Sequence, residues 1–425
     1  MNAAALKQWI LDGKLDEKFA VLYGKDQIEN QKARYTEAVD AFVELYGDKE
    51  NLALFSAPGR TEIAGNHTDH NHGRVVAASV NLDVIAVVAK NDSGLIRIKS
   101  KGYRMDTVDT SDLEVKPEED NKAISLIRGT AARFVQKGLK IGGLDAYTTS
   151  NVLKGSGLSS SAAFEVLVGT ILNHTYNDGA VSPVEIAQYA QYAENVYFGK
   201  PSGLMDQMAS SVGSAITIDF ADTENPVIEQ MDFDLADMGC ALCIVDVGGS
   251  HADLTHEYAA IPAEMKQVAS FFGKEVLRGV TCRELLDNAP AIRERLGDRA
   301  FLRAFHFINE NERVEKIVDA IRAKDYDAFK RLLIESGNSS FRYLQNVYAN
   351  PAPKEQGMSV ALAIAERVLD GCGAWRVHGG GFGGTTQNFV PFDKVEEFRR
   401  EIESVFGEGS CHILSIRPIG GAQVL

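Results

Sequence analysis

Residues 152–165, VLKGSGLSSSAAFE, carry the residue types that most clearly suggest chemistry. Two glycines and three consecutive serines lead into AAFEVLVGTIL, an apolar run typical of a buried helix. A helix that begins after a glycine turn presents free N–H groups and a positive dipole end to an anion. A serine-capped core helix fits equally well, and both interpretations stay open. The predicted phosphate loop consists of Gly155, Ser156, Gly157, Leu158, Ser159, Ser160, Ser161 and Ala162.

A second polar stretch, APGRTEIAGNHTDHNH, lies between two apolar, β-like runs. Proline and glycine interrupt it, so we expect a loop that contains Arg60, His67, Asp69, His70 and His72. Histidine and aspartate are ligands for zinc or iron. The helical HExxH spacing is absent, however, and a site for a hydroxyl-rich ligand explains these residue types at least as well.

Two acidic residues follow helix and loop signals further along the chain. Ser182 and Pro183 form a typical helix start, and the predicted helix places Glu194 near its end. Asp206 follows the glycine loop at Gly203 and precedes a short helix, from which it would project into a cleft. Taken alone, Asp206 is better explained as a helix cap or a surface charge.

The stretch WRVHGGGFGGTTQNFV contains the densest glycine cluster of the chain, at residues 379–384. Its spacing formally matches GxGxxG, but the residues that follow are β-like and end at Pro391. A dinucleotide-binding motif requires a helix at that point, so this interpretation fails. We expect the glycines to allow a close approach of the backbone to a ligand or to another loop.

The remaining pattern predicts the elements that hold these groups. Residues 1–50 show helical spacing and predict an N-terminal helical extension. Strand-like and helical segments alternate from there, which predicts an α/β (α+β) chain. We place the domain boundary near residue 215, which gives domains 51–215 and 216–425.

Composition excludes several classes of protein. The 425 residues carry a formal net charge of −15, which argues against a nucleic-acid or anionic-membrane binder. Five cysteines are too few for a disulfide scaffold, and Cys240 and Cys243 are expected to be buried thiols in a strand. With no signal-peptide pattern and no apolar run of membrane-spanning length, we predict a cytoplasmic protein with no membrane partner.

Three motifs stand in a fixed order: PGRTEIAGNHTDHN, LKGSGLSSSAAFE and VHGGGFGGT. Together they resemble the three signature motifs of the GHMP small-molecule kinases, and most closely those of the galactokinase family. AENVYFGKPSGLMDQ, SHADLTHEY and HFINENERV add to the resemblance, which covers residues 52–425. It implies a two-domain GHMP kinase fold with the active site in the interdomain cleft. It also implies transfer of the γ-phosphoryl group of ATP to the C1 hydroxyl of a sugar, galactose in that family.

The resemblance implies a role for each matching residue. Asp206 corresponds to the catalytic aspartate and Arg60 to the arginine that pairs with it. Glu194, together with Ser160 or Ser161, corresponds to the ligands of Mg²⁺. The positions that correspond to sugar contacts, or that stand beside them, are Glu62, Asn66, His67, Asp69, Gly203 and Tyr258.

The chain departs from the family pattern at two places. Glu62 and Asn66 stand where the family has asparagine and glutamate, so we expect Asn66 to reach a remote sugar hydroxyl and Glu62 to supply the acceptor. The helix AISLIRG lacks the family's aromatic residues, so Ile124 and Leu126 are expected to sandwich the nucleotide base. A kinase for a related sugar, a non-catalytic sugar and ATP sensor, and a metalloenzyme using HTDHNH stay open. The oligomeric state is unknown from the sequence.

Overall fold

The computed structural model describes residues 1–152, 157–200, 202–249, 254–382 and 384–425. Within these ranges the strands are β1 (Ala53–Ala64), β2 (Arg74–Lys90), β3 (Leu95–Ser100), β4 (Met105–Asp109), β5 (Leu144–Ser150), β6 (Ala215–Asp219), β7 (Val227–Met231), β8 (Cys240–Asp246), β9 (Ala374–His378), β10 (Thr385–Pro391), β11 (Cys411–Leu414) and β12 (Ala422–Gln423).

The helices in the same ranges are α1 (Ala3–Leu11), α2 (Asp16–Tyr23), α3 (Ile28–Tyr46), α4 (Ala123–Gln136), α5 (Ser160–Tyr176), α6 (Pro183–Tyr192), α7 (Met205–Val212), α8 (Thr255–Phe271), α9 (Cys282–Asp287), α10 (Ala289–Leu296), α11 (Asp298–Arg322), α12 (Tyr326–Ser339), α13 (Gly357–Leu369) and α14 (Val395–Phe406). A π-helical segment, Ala193–Phe198, continues α6. The predicted start of α6 is confirmed, because Ser182 and Glu185 form a reciprocal capping box.

The strands form two sheets. The larger has the order β12-β1-β2-β5-β3-β4, with β6 paired to β2 and β7 to β6, and the smaller has the order β11-β8-β10-β9. β3 and β5 are parallel, whereas the other pairings are antiparallel. The mixed helix and sheet class predicted from the sequence is confirmed, in its α+β form.

The long strand β2 shows why the larger sheet is covered on both faces. Ile85 and Val87 point to the face that carries the N-terminal helices. Ala86 and Val88 point to the opposite face, which packs on α4 and α5. Because side chains alternate along a strand, a continuous apolar run buries both faces. The predicted helical extension is therefore part of the larger sheet's core.

The predicted domain boundary at residue 215 remains a proposal. β6 and β7 extend the larger sheet, and the chain enters the smaller sheet at β8. Between Met231 and Cys240 the chain passes from the larger sheet to the smaller one, and β12 later returns to the larger sheet. Cys240 and Cys243 are buried in β8 with free thiols, as predicted.

Candidate active site

Arg60 and Asp206 meet in the structure although 146 positions separate them. Arg60 lies on β1, and Asp206 lies in the first turn of α7. The Nε of Arg60 donates to Oδ1 of Asp206 at 2.6 Å, and a second guanidinium nitrogen donates to the carbonyl of Gly157. The Ser159 hydroxyl donates to the other carboxylate oxygen. Arg60, Asp206 and the described residues 157–159 of the predicted phosphate loop, here called the serine loop, thus form one hydrogen-bonded unit.

The Asp206 carboxylate is held in its ionised form. Burial alone would raise its pKa, but Arg60, the Ser159 hydroxyl and Lys200 together hold the pKa below its ordinary value. Arg60 is itself 6% exposed, so its charge acts through little intervening water. At neutral pH the site therefore contains a paired carboxylate that accepts hydrogen bonds.

Arg60 does not lie in a loop, and this prediction was wrong. β1 runs through Pro58 and Gly59, with a register shift against β2 between Pro58 and Arg60. The backbone N–H of Arg60 donates to the carbonyl of Leu158 instead, at 3.1 Å. A side chain on Gly59 would collide with that carbonyl, which explains the glycine. The strand can therefore approach the serine loop closely.

The start of α5 has the features of an anion-binding site. Ser159 adopts a left-handed conformation, and its hydroxyl makes no capping bond to the helix. Since this hydroxyl serves Asp206 instead, the structure favours the phosphate loop over the serine-capped core helix. The side chains of Leu158 and Ala162 are buried in the core. The predicted loop residues Gly155 and Ser156 lie outside the described residues.

A cavity of about 650 Å³ adjoins this helix start. Leu126 lines it, whereas Ile124 packs against the core, and contact of either residue with a nucleotide base stays a prediction. The sequence interpretation missed the aromatic lining, because its members come from separate segments. Residues lining the cavity include Ser160, Ser161, Tyr103, Phe164 and Phe198.

Glu194 is buried on the π-helical segment and held by several donors. Lys200 donates to its Oε1 at 3.1 Å, and Gln207 donates to its Oε2 at 2.7 Å. The same amide nitrogen of Gln207 donates to Glu165 at 3.1 Å. The side-chain amide of Gln207 therefore bridges Glu194 and a second buried carboxyl group, that of Glu165.

The sequence interpretation gave no role to Glu165, one helical turn after Ser161. Its side chain is fully buried, and its Oε1 has no hydrogen-bond partner among the described residues. Burial raises the pKa of Glu165 well above its usual value, and the nearby charge of Glu194 adds to this. An acidic residue inside the apolar run AAFEVLVG was the available signal.

Three predicted sugar-binding residues hold consecutive carbonyls of the glycine-rich turn between β9 and β10. Asn66 Nδ2 donates to the carbonyl of Gly379 at 2.6 Å. His67 Nε2 lies 3.0 Å from that of Gly380, and the hydroxyl of Tyr258 donates to that of Gly381 at 2.7 Å. The glycines thus permit a close approach between loops, one of the two alternatives expected from the sequence.

Asn66 and Glu62, both predicted sugar contacts, bind each other inside the protein, and their contact with a sugar stays a prediction. Both are buried, and Asn66 Nδ2 donates to Glu62 Oε1 at 2.8 Å. The same oxygen of Glu62 accepts from Arg376 at 3.3 Å. Arg376 is fully buried on β9, so it needs a carboxylate, and Glu62 supplies it. The apparent swap therefore builds a contact between the two sheets.

We expect Asn66→Glu to lower the free energy of unfolding by about 3–5 kcal/mol, because it buries a second carboxylate beside Glu62 with no added cation. Urea denaturation measures this loss. Asn30→Glu, at an exposed position on α3, is the control and should unfold like the unsubstituted protein. A stable Asn66→Glu variant with an altered sugar preference would contradict this structural role and support the predicted sugar contact.

Asp69 and Gly203 are neighbours, as their predicted roles require. A Cβ on Gly203 would collide with the Asp69 carboxylate. Among the described residues, none donates a hydrogen bond to that carboxylate. Asp69 therefore offers a half-buried acceptor close to the loop that leads to Asp206.

The chain is similar to known protein families and to individual proteins. Residues 125–214 match the family model "GHMP kinases N terminal domain", and residues 40–90 match "Galactokinase galactose-binding signature". The chain is 33% identical to a galactokinase of Streptomyces coelicolor, over 91% of this chain and 97% of the relative. It is 31% identical to human galactokinase, over 92% and 96%. The chain belongs to the galactokinase family.

Solved structures agree with this assignment at the level of the fold. A Lactococcus lactis galactokinase complexed with galactose matches with a TM-score of 0.78 at 24% identity, over 92% of this chain and all of that one (100%). A Methanococcus jannaschii mevalonate kinase matches with a TM-score of 0.62 at 13% identity, over 87% and 99%. The predicted GHMP kinase fold and the predicted phosphotransferase class with an alcohol acceptor are confirmed. ATP use follows from the family.

Neither a metal-binding cluster nor a membrane-spanning helix is found among the described residues. Among the described residues, no group of three or more His, Cys, Asp or Glu side chains could hold a metal ion. The HTDHNH cluster therefore gives no support to the metalloenzyme alternative. None of the helices in the described parts of the chain combines the length and the apolar character needed to cross a membrane.

Proposed function

We propose that this chain transfers the γ-phosphoryl group of ATP to the C1 hydroxyl of galactose and yields galactose 1-phosphate and ADP. The observation that carries the proposal is the ion pair of Arg60 and Asp206 at the start of α5. This ion pair places a carboxylate, which would bind the acceptor hydroxyl, next to a helix N-terminus, which would bind the phosphates. The galactose-binding signature matched at residues 40–90 contains Arg60 and Asp69.

The nucleotide would lie along the start of α5. Its phosphates would accept hydrogen bonds from the free N–H groups there, with favourable interaction with the helix dipole. The base would occupy the adjoining cavity, where Leu126, Phe164 and Phe198 supply apolar surface. This arrangement directs the terminal phosphate towards Asp206.

Asp206 and Arg60 would act on the sugar hydroxyl and on the transferred phosphoryl group. Phosphoryl transfer demands mainly positioning and stabilisation of charge, with little covalent work by the protein. The ionised Asp206 would orient the sugar hydroxyl and accept its proton as the oxygen attacks phosphorus. Arg60 keeps this carboxylate ionised and would stabilise negative charge that develops on the transferred group.

The donor set of the site suits Mg²⁺. The side chain of Glu194 and the hydroxyls of Ser160 or Ser161 are hard oxygen ligands, and Mg²⁺ commonly takes one or two carboxylates together with phosphates and water. The Oε1 of Glu165, which has no partner in the described part of the chain, lies in the same buried polar region. These residues would hold the ion, which neutralises phosphate charge when bound.

The sugar would lie between the loop of Asp69 and the segment that leads into α7. Asp69 offers an acceptor that no described residue uses, and Gly203 leaves space beside it. His67 and Tyr258 stay candidates for sugar contact at the edge of the glycine-rich turn. We further propose a cytoplasmic setting, as the sequence predicts.

The test is ADP release from Mg·ATP with a panel of sugars: galactose, galactosamine, N-acetylgalactosamine, glucose, mannose and arabinose. We expect activity with galactose to exceed that with every other sugar. Preference for another sugar would overturn the substrate and leave the mechanism intact. ATP binding without ADP release for any sugar would overturn catalysis and favour the sensor alternative.

A further inference from the structure

The carboxylate of Asp83 joins three distant parts of the chain at one fully buried point. Tyr23, from the N-terminal helices, donates to it at 2.6 Å. Ser56 on β1 also donates to it, and Arg417 from the C-terminal segment does so at 3.2 Å. Burial alone would raise the pKa of Asp83, but its two arginine partners, Arg34 and Arg417, lower it. The carboxylate is therefore ionised. We call this carboxylate and its hydrogen-bond partners the Asp83 hub.

Arg34 reaches past this hub to the backbone of the neighbouring strand. One guanidinium nitrogen donates to Oδ1 of Asp83 at 2.6 Å. The other donates to the carbonyl of Asp83 at 3.1 Å and to that of Thr149 at 3.3 Å. The arginine of α3 thus fixes β2 and the end of β5 relative to each other. No function assigned so far involves the N-terminal helices.

The backbone of Asp83 also holds Asn151, which precedes the predicted phosphate loop in the sequence. The backbone N–H of Asp83 donates to Oδ1 of Asn151 at 2.7 Å, and the N–H of Asn151 donates back to the carbonyl of Asp83 at 3.1 Å. Thr149, Asn151 and Val152 all line the cavity of about 650 Å³. Arg34 therefore contacts the backbone of this cavity wall at the carbonyl of Thr149, and indirectly through Asp83.

We propose that Arg34 is a positioning residue for nucleotide binding, through which the N-terminal helices hold the cavity wall at residues 149–152 in place. The inference rests on the proposed function, because that function assigns the cavity to the nucleotide base. Arg34 touches no ligand in this scheme. It acts through the carbonyl of Thr149 and the paired backbone of Asp83 and Asn151.

We expect the protein to fold without Arg34, so an effect on nucleotide binding can be measured separately from an effect on folding. Oδ2 of Asp83 would keep Arg417, Tyr23 and Ser56 as partners, so the buried charge would stay paired, whereas Oδ1 would lose the donor that Arg34 supplies. The carbonyl of Thr149, by contrast, would lose its charged donor. We therefore expect a folded variant whose cavity wall is loosened.

The experiment measures the Kd for ATP by calorimetry, with kcat and the KM for the sugar in parallel. We expect Arg34→Met to raise the Kd for ATP about tenfold, while kcat and the sugar KM stay within about twofold. Arg34→Lys keeps the charge beside Asp83 but cannot form the same fork of hydrogen bonds, so it should also raise the Kd. This second variant decides the matter if Arg34→Met does not fold.

Arg97→Met is the matched control. Arg97 forms a bidentate pair with the fully buried Asp145, at 2.6 and 3.1 Å, in the same sheet but outside the cavity lining. We expect it to lower stability and to leave the Kd for ATP unchanged. An unchanged Kd in a folded Arg34 variant, or an equal rise in the control, would overturn the inference. A lack of ATP binding by the unsubstituted protein would overturn the proposed function itself, and the inference with it.

Discussion

Asp206→Asn is expected to lower kcat for sugar phosphorylation by about 10³-fold, because the amide cannot accept the proton of the acceptor hydroxyl. The replacement has nearly the same shape, so α7 and its contacts should persist. Arg60 would still donate to the carbonyl of Gly157 and to the amide oxygen, which keeps the guanidinium hydrogen-bonded. The KM for ATP should change little, since the phosphate site proposed above is the start of α5 and not Asp206. Steady-state ADP release, with thermal unfolding in parallel, measures both quantities.

The control for this variant is Asp298→Asn. Asp298 also lies in the first turn of a helix, α11, and pairs with Arg293 at 2.5 Å in an exposed position. Its replacement should leave turnover unchanged. Near-normal turnover by a folded Asp206→Asn variant would remove Asp206 from the mechanism.

Arg60→Met is expected to lower kcat by about 10²- to 10³-fold, since it removes a preorganised positive charge from the reacting group. The pH dependence should change as well. The pKa of Asp206 is now below its ordinary value, so the reactive, ionised form persists to low pH. Without Arg60, burial becomes the dominant influence and raises this pKa. The acid limb of kcat/KM against pH should therefore move to higher pH.

Arg74→Met is the matched control for Arg60→Met. Arg74 pairs with Asp219 at 2.8 Å elsewhere in the larger sheet. Its loss should leave the acid limb in place. An acid limb that stays in place for a folded Arg60→Met variant would show that Arg60 does not control the protonation of Asp206.

The sequence predicted those parts of the fold that depend on local patterns. The start of α6 followed from Ser182 and Pro183, whose capping signals act within one helical turn. The strand at residues 385–390 followed from the β-like composition that ends at Pro391. The resemblance of three motifs identified the family before any geometry was known.

The sequence could not show contacts between distant segments. From the sequence, Glu62 and Asn66 are predicted only as sugar contacts, whereas the fold also places Arg376, more than 300 positions later, against Glu62. Arg60 looks like a loop residue because Pro58 and Gly59 precede it, yet it pairs with Ser79 of β2, and its N–H donates to the carbonyl of Leu158. Such pairings depend on tertiary packing, which overrides local preference.

The most direct test of this account is the position of the phosphoryl group in the product. The chain is incubated with Mg·ATP and galactose, and the product is examined by ³¹P nuclear magnetic resonance with coupling to the sugar protons. We predict one sugar phosphate, coupled to the proton at C1 and formed in equal amount with ADP. A phosphate on any other carbon, or ADP with inorganic phosphate alone, would contradict the proposed placement of the C1 hydroxyl against Asp206.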